Sequence, residues 1–172
     1  MQRRAIAIFG SVVFLVVAPG TVAGLVPWWI SRWRLQSPLL GLEALRWIGI
    51  GLIVADAAVL IDAFARFAWQ GWGTPAPVLP TRRLVVTGLY RHVRNPMYWA
   101  VTGLILGQAL LLGELWLIGY GAVIALAFHL FVLIYEEPTL RRSYGRDYEA
   151  YCAGVPRWIP RIRPWRGSSS QS

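Results

Sequence analysis

Hydrophobic residues run in long blocks along this chain rather than alternating, and the polar residues collect between the blocks. Ala5 to Ile30 is almost uninterrupted apolar sequence, enough helix to cross about 30 Å of hydrocarbon with some tilt. Pro19-Gly20 predicts a kink or loosening inside it. Trp28, Trp29 and Trp33 mark its far interface as an aromatic belt. A second span is predicted from about Leu39 to Phe67, although it carries Glu43, Arg46, Asp56 and Asp62. Glu43 and Arg46, three apart, are placed to pair near the outer interface. Asp56 and Asp62 lie deeper, where a carboxylate is a functional candidate, or else faces the bundle paired or protonated. The block from Tyr98 to Leu112 has only about fifteen residues, roughly 22 Å as helix. Gly113-Glu114 then predicts a tight turn, and Leu115 to Tyr135 returns as a full span. Residues 98–135 therefore read as a helical hairpin, with Gly103-Leu-Ile-Leu-Gly107 suited to close packing of its arms.

The polar intervals have patterns of their own. Ala68 to Leu84 holds Trp69, Trp72, Pro75, Pro77 and Pro80 before Arg82-Arg83, and predicts an interfacial loop. Gly88-Leu-Tyr-Arg-His-Val-Arg-Asn-Pro-Met-Tyr98 follows. Pro96 fits the first helical position, where its missing N–H costs nothing. Asn95 is then the expected N-cap, its side-chain oxygen accepting from an amide one turn in. Arg91, His92 and Arg94 would gather at a helix N-terminus, which favours an anion. They read equally as cations marking the cytoplasmic side of a membrane helix. Beyond the hairpin come Tyr135-Glu-Glu-Pro138 and a stretch with Tyr144, Tyr148 and Tyr151 at helical spacing among Arg141, Arg142 and Arg146. That stretch predicts one amphipathic interfacial helix. Val155-Pro-Arg-Trp-Ile-Pro160 predicts an extended tail segment, and residues 167–172 a disordered end.

Composition sharpens this picture. A chain of 172 residues that is 56% hydrophobic, with mean hydropathy +0.50, is an all-α polytopic membrane protein with a single domain over residues 1–166. The net charge of +9 suggests nucleic acid at first. All 17 basic residues are arginine, however, and most flank apolar blocks as juxtamembrane charges do, so no nucleic-acid partner is expected. The arginine placement puts the N-terminus, residues 66–94 and everything from Arg141 onward on the cytoplasmic side. Only Arg32 and Arg34 fall in an opposite loop. About four spans with both termini cytoplasmic follow, the first being an uncleaved signal anchor. The single cysteine, Cys152, excludes an internal disulfide. His92 and His129 form no metal-binding cluster, so no metal is expected.

Such a topology brings two polar motifs to one cytoplasmic mouth of the hairpin. One offers cations, an amide and Tyr98; the other offers Glu136 and Glu137. Adjacent glutamates on a helix point about 100° apart, so one can face inward while its neighbour stays wet. Cations on one wall and a carboxylate on the other suit a zwitterion with hydroxyls. A salt-bridge cluster around a packed hairpin accounts for the same residues.

Arg94-Asn-Pro-Met-Tyr98, Tyr135-Glu-Glu-Pro138, and Tyr144-Gly-x-x-Tyr148-x-x-Tyr151-x-x-x-Val155-Pro-Arg-Trp-Ile-Pro160 together resemble the integral-membrane methyltransferases. These are the isoprenylcysteine carboxyl methyltransferases, the phospholipid N-methyltransferases and their bacterial relatives. The resemblance covers roughly residues 80–160, the motif-bearing catalytic half. It implies S-adenosylmethionine as methyl donor and a membrane methyltransferase activity on a lipophilic acceptor, either an isoprenylcysteine-like carboxylate or a phospholipid amine. It implies a cofactor pocket of Arg91, Arg94, Asn95, Pro96, Tyr98, Glu136 and Glu137, with Arg94, Glu136 and Glu137 in the catalytic role. Asn95 stands where the family most often has histidine; it keeps a donor and an acceptor but does not titrate. By likeness to a Gly-x-Gly cofactor element of the phospholipid branch, Gly49 and Gly51 join the pocket. The tail motif looks more like the carboxyl branch. The apolar turn Leu130-Phe-Val-Leu-Ile134 instead favours an amine acceptor, because a carboxylate acceptor would want a cation there. Two other classes remain. A small multidrug-type transporter would carry its glutamate mid-helix in the first span, which here has no ionised residue. A non-catalytic membrane subunit gives no reason for the ordered polar motifs.

Overall fold

The computed structural model describes residues 17–66, 84 and 86–167, and among them every regular element is helical. The Trp69–Pro80 loop, the end at residues 168–172 and most of the first apolar block lie outside the described residues.

Helix α1 reaches Ser31 through a π turn, Thr21–Leu25, and an α-helical segment, Val26–Ser31. The loosening sits just after Pro19-Gly20, and a second proline shapes it. Pro27 has no N–H for the carbonyls four and five residues back, Ala23 and Val22. Both carbonyls instead accept from the hairpin, Ala23 from Gln108 Nε2 at 2.7 Å and Val22 from Tyr120 Oη at 2.9 Å. The proline thus frees the two acceptors that fasten α1 to its neighbours.

Helix α2 spans Ala44–Arg66 and packs lengthwise against α3, Pro96–Leu112. The expected Glu43–Arg46 pair forms at 3.5 Å. A Cβ added to Gly49 would come within 2.6 Å of Gly107 O, and one on Gly107 within 2.9 Å of Gly49 O. Gly103 faces the Asp56 carboxylate. The small residues of α3 therefore serve α2, and the expectation that they pack the hairpin arms is corrected. On the hairpin side α3 presents Ile105 and Leu106, whose side chains rest on Gly121 of the next helix. Spacing fixes which residues share a face, and here the narrow face meets the helix that precedes the hairpin.

The turn to α4, Leu115–Phe131, is at Gly113, with φ +75° and a Ser37 carbonyl where a Cβ would stand. Only glycine suits both conditions. Gln36 closes this turn from outside, its backbone N–H bonding Leu112 O at 2.9 Å and its side-chain amide bonding the Glu114 carboxylate. Helix α4 then passes without interruption through a second π turn, Val132–Glu136, into α5, Glu137–Tyr144. Pro138 again follows the π turn at the same offset as Pro27 does the first.

Gly145, with φ +51° and ψ −125°, ends α5 and starts α6, Arg146–Gly154. The single amphipathic helix expected here is two, because glycine admits a backbone conformation at residue 145 that no helix can carry through. Tyr148, Tyr151 and Val155 form a small core of their own beneath the bundle, joined by Leu84, Val86 and Trp165.

Ala44–Arg66 and the continuous helix Leu115–Tyr144 are long and apolar enough to cross a bilayer, while Pro96–Leu112 is shorter. Only 22% and 17% of their apolar windows are buried, whereas the core helix of a water-soluble domain would be mostly covered. Trp47, Val54, Ile61, Trp116, Val123 and Ile134 stand exposed on the outer faces, as residues that meet lipid do.

Candidate functional site

Residues 91–99 and the tail segment 155–165 run alongside each other below the bundle and exchange hydrogen bonds. Arg94 N donates to Pro156 O at 3.0 Å, Arg161 N to His92 O at 3.0 Å and Trp165 N to Arg91 O at 2.9 Å. Side chains add to the seam. Arg91 Nε donates to Trp165 O at 2.6 Å, and Trp99 Nε1 to Trp158 O at 2.7 Å. Tyr151 Oη donates to Tyr90 O at 2.7 Å. Burial pushes the phenols of Tyr90, Tyr148 and Tyr151 up from their ordinary range, so all three stay neutral.

Pro96 opens α3 as the sequence suggests, and Asn95 occupies the N-cap position. The expected cap bond is absent. Asn95 Nδ2 instead donates to Arg157 O at 3.2 Å, and no side-chain cap bond forms. The side-chain amide thus holds the tail rather than capping the helix.

The two polar motifs meet at the π turn. Glu137, with a side chain 7% exposed, receives Arg94 Nη1 at 3.0 Å. Arg157 approaches it with two parallel bonds, Nε to Oε1 at 2.6 Å and Nη2 to Oε2 at 2.9 Å. Arg141 lies 4.0 Å from the same carboxylate. The Glu137 hydrogen bond raises the Arg157 pKa further, so its charge is permanent. Glu136 sits one residue earlier and faces differently. Tyr98 Oη donates to its Oε2 at 2.7 Å, its one recorded hydrogen bond among the described residues. One carboxylate is thus saturated by cations, and its neighbour meets a neutral phenol. Arg94 also sends Nη1 to Cys152 Sγ at 2.8 Å, while its buried Nε has no hydrogen-bond partner among the described residues.

These contacts bring Arg94, Asn95, Pro96, Tyr98, Glu136 and Glu137 into one cluster. Arg91 belongs to the tail seam beside it. Gly49 and Gly51 are elsewhere: Gly49 abuts Gly107, eleven residues along α3 from Pro96 or about 16 Å of helix rise, and Gly51 is exposed. Arg157 and Trp158 join the site from the tail, where the sequence shows Val155-Pro-Arg-Trp-Ile-Pro160 as a motif without marking them as site residues. Asp62 pairs with Arg66 at 2.7 Å at the end of α2.

The cluster can grip a zwitterion. Arginine suits a carboxylate, and a carboxylate with no cation among the described residues suits an ammonium or a pair of hydroxyls.

The family model described as phospholipid methyltransferase matches residues 44–147, reaching back to the start of α2 and stopping short of the tail motif. Phosphatidylethanolamine N-methyltransferase of Schizosaccharomyces pombe (strain 972 / ATCC 24843) is 26% identical over 146 residues. That alignment takes in 81% of this chain but only 16% of the relative. No solved structure matches. A family match over more than half the chain, on helices that carry a paired cation–carboxylate site at one end, makes this chain a member of the phospholipid methyltransferase family.

Proposed function

We propose that this protein transfers a methyl group from S-adenosylmethionine to the amine of a membrane phospholipid. The observation that carries the reading is the contrast within one cluster: among the described residues Glu137 is paired with Arg94 and Arg157, while the neighbouring Glu136 accepts only from Tyr98. Arg94 suits the donor's carboxylate, and Glu136 suits the acceptor's ammonium. When bound, the donor supplies an electrophilic methyl on a sulfonium; N–C bond formation is matched by S–C cleavage to a neutral thioether.

The protein's own residues position, exclude water and take a proton. Arg94 orients the donor's carboxylate, and Glu137 holds Arg94 in place. Tyr98 directs the Glu136 carboxylate. Glu136 Oε receives the proton that an ammonium headgroup must lose before its lone pair can attack. In-line positioning of the reacting atoms supplies most of the rate. Family membership supports the donor, and the name of the fission-yeast protein supports an amine over a carboxylate.

Arg94→Ala should weaken donor binding about 30-fold or more, the cost of losing one side of a charge-assisted contact in a water-poor site. Calorimetry with S-adenosylhomocysteine measures it. Wild-type affinity in that variant would return Arg94 to a purely structural salt bridge.

The reading also places the cluster at the cytoplasmic face, with four spans and both chain ends cytoplasmic. Arg141, Arg142, Arg146, Arg157, Arg161, Arg163 and Arg166 on one side, against Arg32 and Arg34 on the other, support it. Reporter fusions at Ser172 and within residues 32–38 should report opposite compartments. An external C-terminus would remove the site from its donor.

A further inference from the structure

A cleft of about 250 Å³ opens between α3 and α4 beside the charged cluster. Its walls are Tyr98, Trp99 and Thr102 from α3, Ala125, Phe128 and His129 from α4, and Trp158 from the tail. Tyr98 belongs to both places. Its hydroxyl reaches Glu136, while its ring lies 4.6 Å from that of Phe128.

The polar groups of this wall are nearly all spent inside the protein. Tyr98 Oη donates to Glu136, and Thr102 Oγ1 donates to Tyr98 O at 2.9 Å. Trp99 Nε1 donates to Trp158 O, and Trp158 Nε1 donates to His129 Nδ1 at 3.0 Å. An indole N–H only donates, so Nδ1 must accept, and the imidazole proton is left on Nε2. Among the described residues that Nε2–H has no recorded partner. A wall with its donors satisfied offers little to a polar ligand and much to hydrocarbon. The cleft also lies between helices whose outer faces are lipid-exposed, so its open side meets acyl chains.

We infer that this cleft seats the upper part of one acyl chain of the acceptor lipid, with His129 Nε2–H on an ester oxygen, so that the headgroup amine hangs at Glu136. The inference rests on the methyl-transfer reading and adds to it where the acceptor binds. Three features select a glycerolipid chain: the apolar lining, a single spare donor, and continuity through Tyr98 with the carboxylate.

The test uses the full chain in phosphatidylcholine vesicles with a phosphatidylethanolamine that carries a diazirine midway along one acyl chain. After photolysis, label should concentrate on the peptides holding Thr102, Ala125 and Phe128, and unlabelled phosphatidylethanolamine should displace it. Ala125→Trp fills the cleft from an exposed position. It should cut the label severalfold and raise the acceptor KM about tenfold or more, with affinity for S-adenosylhomocysteine unchanged. Thr102→Leu, which intrudes from the facing helix, gives a second arm, and Ala127→Trp, exposed elsewhere on α4, should behave as wild type. Label spread evenly over the outer faces of α2 and α4, or a wild-type KM and label in both filled variants, would overturn the inference. The two readings fail separately. Cleft labelling without methyl transfer keeps the site and removes the reaction; methyl transfer with label elsewhere does the reverse.

Discussion

Glu137→Ala should lower stability by about 3–5 kcal/mol, the usual cost of removing one member of a buried ionic cluster. Three guanidinium groups converge on that carboxylate. Arg141 is 55% exposed and can turn to water, and Arg157 at 31% can do so in part. Arg94 is only 11% exposed and already has an orphan Nε, so it would be left buried with Cys152 as its remaining side-chain partner. The tail segment 155–160 would come loose with it, because Arg157 is anchored there. Thermal unfolding in detergent, with protease cleavage in residues 154–163 as a local readout, measures both effects. Glu137→Gln keeps two acceptor positions and should lose less. An alanine variant that melts with the wild type and resists cleavage would show the cluster to be dispensable.

Glu136→Gln separates chemistry from architecture. The amide oxygen still accepts from Tyr98 Oη, so the fold should persist and the melting temperature should move little. Methyl transfer should fall by a factor of about 10²–10⁴, the range for losing a positioned general base. The deficit should shrink as pH rises. An ammonium acceptor loses its proton to solvent more readily at high pH, and the variant then needs less help. A carboxylate acceptor would instead show a flat profile above about pH 6 and a base-labile product. A Glu136→Gln enzyme at full rate throughout would assign the proton to another group.

Much of this architecture is visible in the order of residues. Long apolar blocks require helices, Gly113-Glu114 requires the turn, and a hairpin returns residue 137 to the level of residue 94. What sequence order does not carry is the choice of neighbour. Gly103 and Gly107 announce a narrow face, and nothing in their spacing says that α2 rather than α4 will fill it. Gly145 sits in an arginine–tyrosine pattern that continues at helical period on both sides, so the break depends on one backbone angle. Arg157 is the clearest omission. It is one of several arginines in a short tail, and only the folding of that tail against residues 91–99 selects it as the bidentate partner of Glu137. Asn95 is a subtler case, since its position at the start of the helix is legible while its donor is claimed by a carbonyl 62 residues away.

The attachment of the tail sets an order of events during synthesis. Glu137 leaves the ribosome 20 residues before Arg157. For that interval the α3–α4 hairpin can enter the bilayer while its terminal carboxylate has only Arg94 and Arg141 to neutralise it. The bidentate arginine comes later in the chain than either hairpin arm. A chain truncated between residues 144 and 157 would hold both arms yet lack Arg157, leaving Arg94 and Arg141 as the partners of Glu137 among the described residues.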